Sequence, residues 1–131
     1  MEILVVEDNE EYRTLLKEAL YSSGYTVYTA KDGIAGCEVL TSSEIDLIIS
    51  DVQMPRMDGI KFHAFTREHD RHKNTKFMFL SSIEHPPSVD LNPKIDIFLS
   101  KETPIWDIVK VVDESIFGGY ANTWLSSDRK H

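Results

Sequence analysis

Five polar side chains able to do chemistry each follow closely on a short apolar run. Glu7 and Asp8 close Ile3-Leu4-Val5-Val6, and Asp51 closes Leu47-Ile48-Ile49-Ser50. Ser81 closes Phe77-Met78-Phe79-Leu80, and Lys101 stands just beyond Ile97-Phe98-Leu99. Three carboxylates brought to one place repel and raise one another's pKa, an arrangement a fold tolerates best when a cation fills the site. An all-oxygen donor set suits a hard ion such as Mg2+, with waters completing the octahedron. A hydroxyl and an ammonium nearby would supply donors for phosphoryl oxygens. Singly, each residue has an ordinary explanation. Asp51 can open a turn, and Asp8 can cap a helix with Glu11 completing a capping box. Ser81 or Ser82 can be a loop hydroxyl and Lys101 a surface lysine.

Whether these groups meet depends on the elements that carry them. The apolar runs at residues 2–6, 45–50, 76–80 and 95–99 read as strands buried on both faces, and residues 25–29 as another strand. Between them, Tyr12, Leu15, Leu16, Ala19 and Leu20 make one apolar helical face, stopped by Ser22-Ser23-Gly24. A shorter helix runs from Asp32-Gly33 to Leu40, and a further one from Asp58 to about residue 69. Ile105, Ile108, Val109, Val112 and Ile116 predict a last helix ending at Gly118 and Gly119. Pro86, Pro87 and Pro93 break residues 83–93, where at most one helical turn is expected. Strand alternating with helix predicts an α/β, doubly wound, flavodoxin-like fold. Its five-stranded parallel sheet takes the order 2-1-3-4-5, with the fourth helix shortened or irregular. In such a sheet a ligand sits at the carboxyl ends of strands one and three. Those ends carry Glu7, Asp8 and Asp51, with Ser81 and Lys101 at the ends of strands four and five.

Composition excludes several classes. The chain has 131 residues, enough for one domain with a real core, expected over residues 1–118 with a tail or linker at 119–131. With 27% charged and 41% hydrophobic residues it is neither disordered nor membrane-embedded. A net charge of -8 disfavours nucleic acid or an anionic membrane surface as a direct partner. No apolar run approaches the about 20 residues of a spanning helix. A strand pattern follows Met1 at once, and Cys37 is the only cysteine. A reducing cytoplasm is therefore expected, with Cys37 as a buried small apolar residue. The histidines are scattered, and no second metal site is expected.

The chain resembles a response-regulator receiver domain of two-component signalling, over nearly its whole length to about residue 117. The resemblance is carried by Ile3-Leu4-Val5-Val6-Glu7-Asp8-Asn9, Asp51-Val52-Gln53-Met54-Pro55-Arg56-Met57-Asp58-Gly59, Leu80-Ser81-Ser82 and Phe98-Leu99-Ser100-Lys101. It implies that Asp51 is the phosphoacceptor and that Asp8 and Asp51 ligate Mg2+, with Glu7 acting mainly through water. The backbone carbonyl of Gln53 would be a further ligand. Ser81 and Lys101 would contact the phosphoryl group, and Phe98 would be the aromatic switch. The implied partners are a sensor histidine kinase or histidine phosphotransfer protein and a downstream protein target.

The chemistry is consistent with that resemblance. A carboxylate attacking a phosphohistidine in line gives an acyl phosphate, and the protein mainly positions the group. No enzyme activity is expected beyond self-phosphorylation and autodephosphorylation. Three departures from the family pattern stand out. Glu102 follows Lys101 where receivers usually have a cis proline, prolines interrupt the fourth-helix segment, and Phe98 lacks the hydroxyl of the common tyrosine. Competing readings are an Asp-nucleophile, Mg2+-dependent phosphatase, a flavin binder and a docking-only receiver. Gln53 stands where the phosphatase would place a second Asp, and Glu7-Asp8 would repel a flavin phosphate. Intact Asp51, Ser81 and Lys101 argue against pure docking.

Overall fold

The computed structural model describes residues 1–82 and 90–128, with side chains as far as Phe117. Along the chain run β1 (Glu2–Val6), α1 (Glu10–Ser22), β2 (Thr26–Ala30), α2 (Gly33–Ser42) and β3 (Leu47–Ser50). They are followed by α3 (Gly59–Glu68), β4 (Lys76–Ser81), β5 (Asp96–Ser100) and α4 (Ile105–Asp128). All strand pairs are parallel, in the order β2-β1-β3-β4-β5. This is the doubly wound sheet that strand–helix alternation requires, since parallel neighbours need crossovers.

The period of two along each strand divides the core. Ile3, Val5, Leu47, Ile49, Met78 and Leu80 pack with Leu16, Leu20, Ile108, Val109 and Val112 of α1 and α4. Leu4, Val6, Ile48, Phe77 and Phe79 face the other way, onto Leu40 of α2 and Phe62 of α3. Nearly all of these are fully buried, each contributing about 1.5–3 kcal/mol, and this fixes the strand ends that carry the polar groups.

One ordinary alternative falls away and two local expectations change. Asn9, not Asp8, caps α1, its Oδ1 accepting from the Tyr12 N–H at 2.8 Å. α4 does not stop at Gly118 and Gly119 but runs to Asp128. A glycine inside a helix costs about 1 kcal/mol, and it ends one only when it takes up a left-handed cap. Among the described residues the sole positive-φ glycine is Gly24, at φ 99°, where α1 does end. Cys37 is half-buried rather than buried, and burial pushes its thiol up to about 11. The irregular segment expected at 83–93 falls largely on residues 83–89, outside the described residues. Residues 90–95 form no helix and close in a turn before β5. No helix among the described residues is long and apolar enough to cross a membrane.

Candidate functional site

Backbone pairing brings the polar strand ends together. The Asp51 N–H donates to the Val6 carbonyl at 3.1 Å, which sets Asp51 beside Glu7. Ser81 lies opposite Ser100 in the β4–β5 ladder, and the Lys101 N–H donates to the Ser81 carbonyl at 2.8 Å. Glu7, Asp8 and Asp51 each offer a carboxylate oxygen, all within 4.8 Å of one another. Among the described residues no other group of three or more His, Cys, Asp or Glu side chains is so placed. Glu7 and Asp51 are buried, while Asp8 is exposed.

Lys101 is the internal counter-charge. Its Nζ lies 2.6 Å from Glu7 Oε1 and 2.9 Å from Asp51 Oδ2. Burial alone would lower its pKa, but the hydrogen bonds and charges of Asp51 and Glu7 together outweigh it and hold Lys101 above its ordinary value. Glu7 goes up as well. Burial is the largest cause, and its bonds to Lys101 and to the Asn9 N–H offset that only in part. One ammonium among three carboxylates leaves an acid surplus in a small volume. Such an all-oxygen cluster can hold a hard divalent cation.

The loop after β3 is held tightly. Gly59 donates to the Val52 carbonyl at 2.8 Å, and a Cβ there would lie 2.0 Å from the Asp51 carbonyl oxygen, so only glycine fits. Arg56 has φ 69°, and the Met57 N–H reaches back to the Pro55 carbonyl at 2.8 Å, a tight and strained turn for a side-chain-bearing residue. Asp32, the buried cap of α2, holds that turn through Arg56 Nε at 3.1 Å. The Gln53 N–H donates to Asp51 Oδ1 at 3.3 Å.

Phe98 is partly buried on the α2–α3 face of the sheet, packed against the cluster that contains Phe79. Ser81 is buried at the end of β4. After Lys101 the Glu102 N–H donates to Ser100 Oγ at 3.0 Å, and no cis peptide occurs among the described residues. Every sequence-predicted site residue thus lies at the carboxyl end of the sheet or on the strands leading to it. Two neighbours were missed. Tyr12 belongs to the apolar face predicted for α1, yet its ring also lies 5.1 Å from Lys101 Nζ. The Asp32–Arg56 bridge had no local signal at all.

The sequence matches the Response regulator receiver domain family over residues 3–113. The chain belongs to the response regulator receiver family. Among solved structures, this receiver is similar to the chemotaxis protein CheY4 of Vibrio cholerae, with a TM-score of 0.79 at 27% identity, covering 87% of this chain and 97% of that one. It is also similar to the response regulator protein TrrA of Thermotoga maritima, solved in complex with Mg(2+)-BeF. The TM-score there is 0.75 at 30% identity, with 87% and 97% covered. A stretch of 68 residues is 46% identical to the sensor histidine kinase RcsC of Escherichia coli, covering 52% of this chain but 7% of the kinase. The receiver therefore spans a small part of that relative's length. Receivers of this family are signalling switches found in response regulators and in hybrid kinases.

Proposed function

We propose that this receiver accepts a phosphoryl group on Asp51 from a phosphohistidine of a sensor histidine kinase or histidine phosphotransfer protein. It then signals through changed protein–protein contacts. The observation that carries this reading is the pairing of a buried Asp51 carboxylate with Lys101 Nζ at 2.9 Å, inside a cluster of three carboxylates. An Asp51 oxygen forms the new bond to phosphorus as the histidine N–P bond breaks, and the imidazole keeps the electron pair and takes up a proton. Lys101 turns from the carboxylates toward the transferred oxygens and offsets their charge. Asp8 and Asp51 would hold Mg2+, with Glu7 acting through water and the Gln53 carbonyl as a further ligand. When bound, the ion offsets the negative charge of attacking and transferred groups. The TrrA relative was solved with Mg(2+)-BeF, and this supports the same ion here.

Once Asp51 is modified, Ser81 follows the new oxygens, and Phe98 turns into the space it leaves. Residues 1–118 form the switch and 119–131 lie beyond it. A cytoplasmic setting fits a kinase partner. Acetyl phosphate with Mg2+ is expected to add one phosphoryl mass to the wild type, read by intact-mass spectrometry. Asp51→Asn is expected to take none, and chelation should abolish labelling of the wild type. Label retained by the Asn variant would remove Asp51 from the role, and label retained under chelation would remove the metal.

A further inference from the structure

Tyr12 stands in the first turn of α1, where its backbone N–H donates to the side chain of the Asn9 cap, next in sequence to Asp8. Its ring faces the Lys101 ammonium, with Nζ 5.1 Å from the centroid. The same Nζ bridges Glu7 and Asp51. The Tyr12 hydroxyl is buried and, among the described residues, has no hydrogen-bond partner; Arg67 Nε is the other such buried side-chain atom. A buried hydroxyl left unpaired is costly, so its persistence calls for a reason. The hydroxyl lies within electrostatic reach of Lys101, Glu7 and Asp51, and burial above all raises its pKa, so it is a neutral donor near pH 7. Tyr12 and Lys101 also wall an open cleft of about 420 Å3 together with Asn9, Glu11 and Leu15.

These features describe a lysine that must change partners beside a donor awaiting an acceptor. Lys101 cannot keep both carboxylates while it neutralises a phosphoryl group. A ring face attracts an ammonium over a broad range of directions, so it can hold the charge while the oxygen partners exchange. We propose that the Tyr12 ring positions Lys101 for phosphoryl transfer, and that the Tyr12 hydroxyl donates to an oxygen of the phosphoryl group on Asp51. The proposal rests on the phosphoacceptor reading of Asp51 and adds a residue to it.

Tyr12→Phe and Tyr12→Leu separate the two roles. The first keeps the ring and loses the hydroxyl; the second loses both. Labelling by acetyl phosphate with Mg2+ gives a maximal rate and a half-saturating concentration for each variant. Calorimetric titration with beryllofluoride and Mg2+ gives the affinity for the phosphoryl mimic, and urea unfolding of the apo protein gives stability. Tyr12→Phe is expected to keep more of the maximal labelling rate than Tyr12→Leu, since the ring contact survives. It should bind beryllofluoride about tenfold more weakly, as for one lost hydrogen bond to a charged group. Its apo unfolding midpoint should not fall, because no apo hydrogen bond is removed. Tyr12→Leu is expected to lose about fivefold or more in maximal rate at an unchanged half-saturating concentration. Wild-type beryllofluoride affinity in Tyr12→Phe would overturn the hydroxyl's role, and a wild-type maximal rate in Tyr12→Leu would overturn the ring's. If the wild type itself takes no label, the phosphoacceptor reading fails instead; normal wild-type labelling with indistinguishable variants sinks the Tyr12 proposal alone.

Discussion

The two ends of this sheet each bury a polar cluster, and they are built on opposite principles. At the carboxyl end, Glu7 and Asp51 share one ammonium, from Lys101, with the Asp8 carboxylate beside them. At the amino end, a single carboxylate, Asp96 at the start of β5, meets three donors. Arg67 donates to its Oδ1 at 2.6 Å, His63 Nε2 lies 3.0 Å from the same oxygen, and the Asn92 N–H donates to Oδ2 at 2.8 Å. Burial is the largest single influence on both Glu7 and Asp96, and in both it raises the pKa. For Asp96 the three donors reverse it and the net shift is downward; for Glu7 its two donors, Lys101 and the Asn9 N–H, do not, and Asp51 adds repulsion. The paired Asp96 carboxylate fastens α3 to β5, although Arg67 Nε has no partner among the described residues. The acid-rich cluster at the other end keeps a surplus of negative charge that a divalent cation could offset.

The contrast predicts opposite signs on mutation. Asp96→Ala strands Arg67 and His63 without their carboxylate and is expected to cost about 3 kcal/mol in urea unfolding, as for one partner removed from a buried ion pair. A cost below about 0.5 kcal/mol would show that the amino-end cluster fastens nothing. Glu7→Gln should do the reverse. It removes a carboxylate that burial disfavours, while Lys101 keeps Asp51. The apo protein is therefore expected to be unchanged or more stable, by about 1 kcal/mol at most, with weaker binding of divalent cation by calorimetry. Marked destabilisation of that variant would mean the carboxyl end is no less satisfied than the amino end.

A smaller effect lies at the amino end. His72 is buried, and its Nε2 accepts the Ile45 N–H at 3.2 Å, so the ring must be neutral there. Burial first, then His69 and Arg71, pull its pKa below the ordinary 6.5. The folded state thus binds fewer protons than the unfolded one. The stability from this contact is full above the unfolded value of 6.5 and is lost as pH falls through the lower folded value. Unfolding free energies measured at steps between about pH 7 and pH 5 should therefore decline in wild type, by about 1 kcal/mol or less. The decline should be shallower in His72→Gln, and equal slopes would remove His72 as its source.

Much of this was legible before any coordinates. Short apolar runs with a β-branched bias, alternating with helical spacing, dictate a parallel doubly wound sheet. A parallel sheet in turn places Glu7, Asp8, Asp51, Ser81 and Lys101 along one edge, because each terminates its strand. Those inferences need only periodicity and chain connectivity, which are properties of neighbours in sequence. What the sequence left open were choices between chemically similar neighbours. Asp8 and Asn9 are both good caps, and only the geometry of the turn gives the cap to Asn9 and leaves Asp8 at the site. Gly24 and Gly118 look alike as stop signals. Gly24 takes φ 99° because the chain must reverse there to lay β2 beside β1, with Tyr25 buried directly after it. No such reversal bends α4 at Gly118, and the helix runs through. Tyr12 on Lys101, Arg56 on Asp32, and Arg67 with His63 on Asp96 join residues 24 to 89 positions apart or lie on different elements. Nothing local marks such pairs, because a charge finds its partner by distance in space, and that distance is set only when the two faces of the sheet are packed.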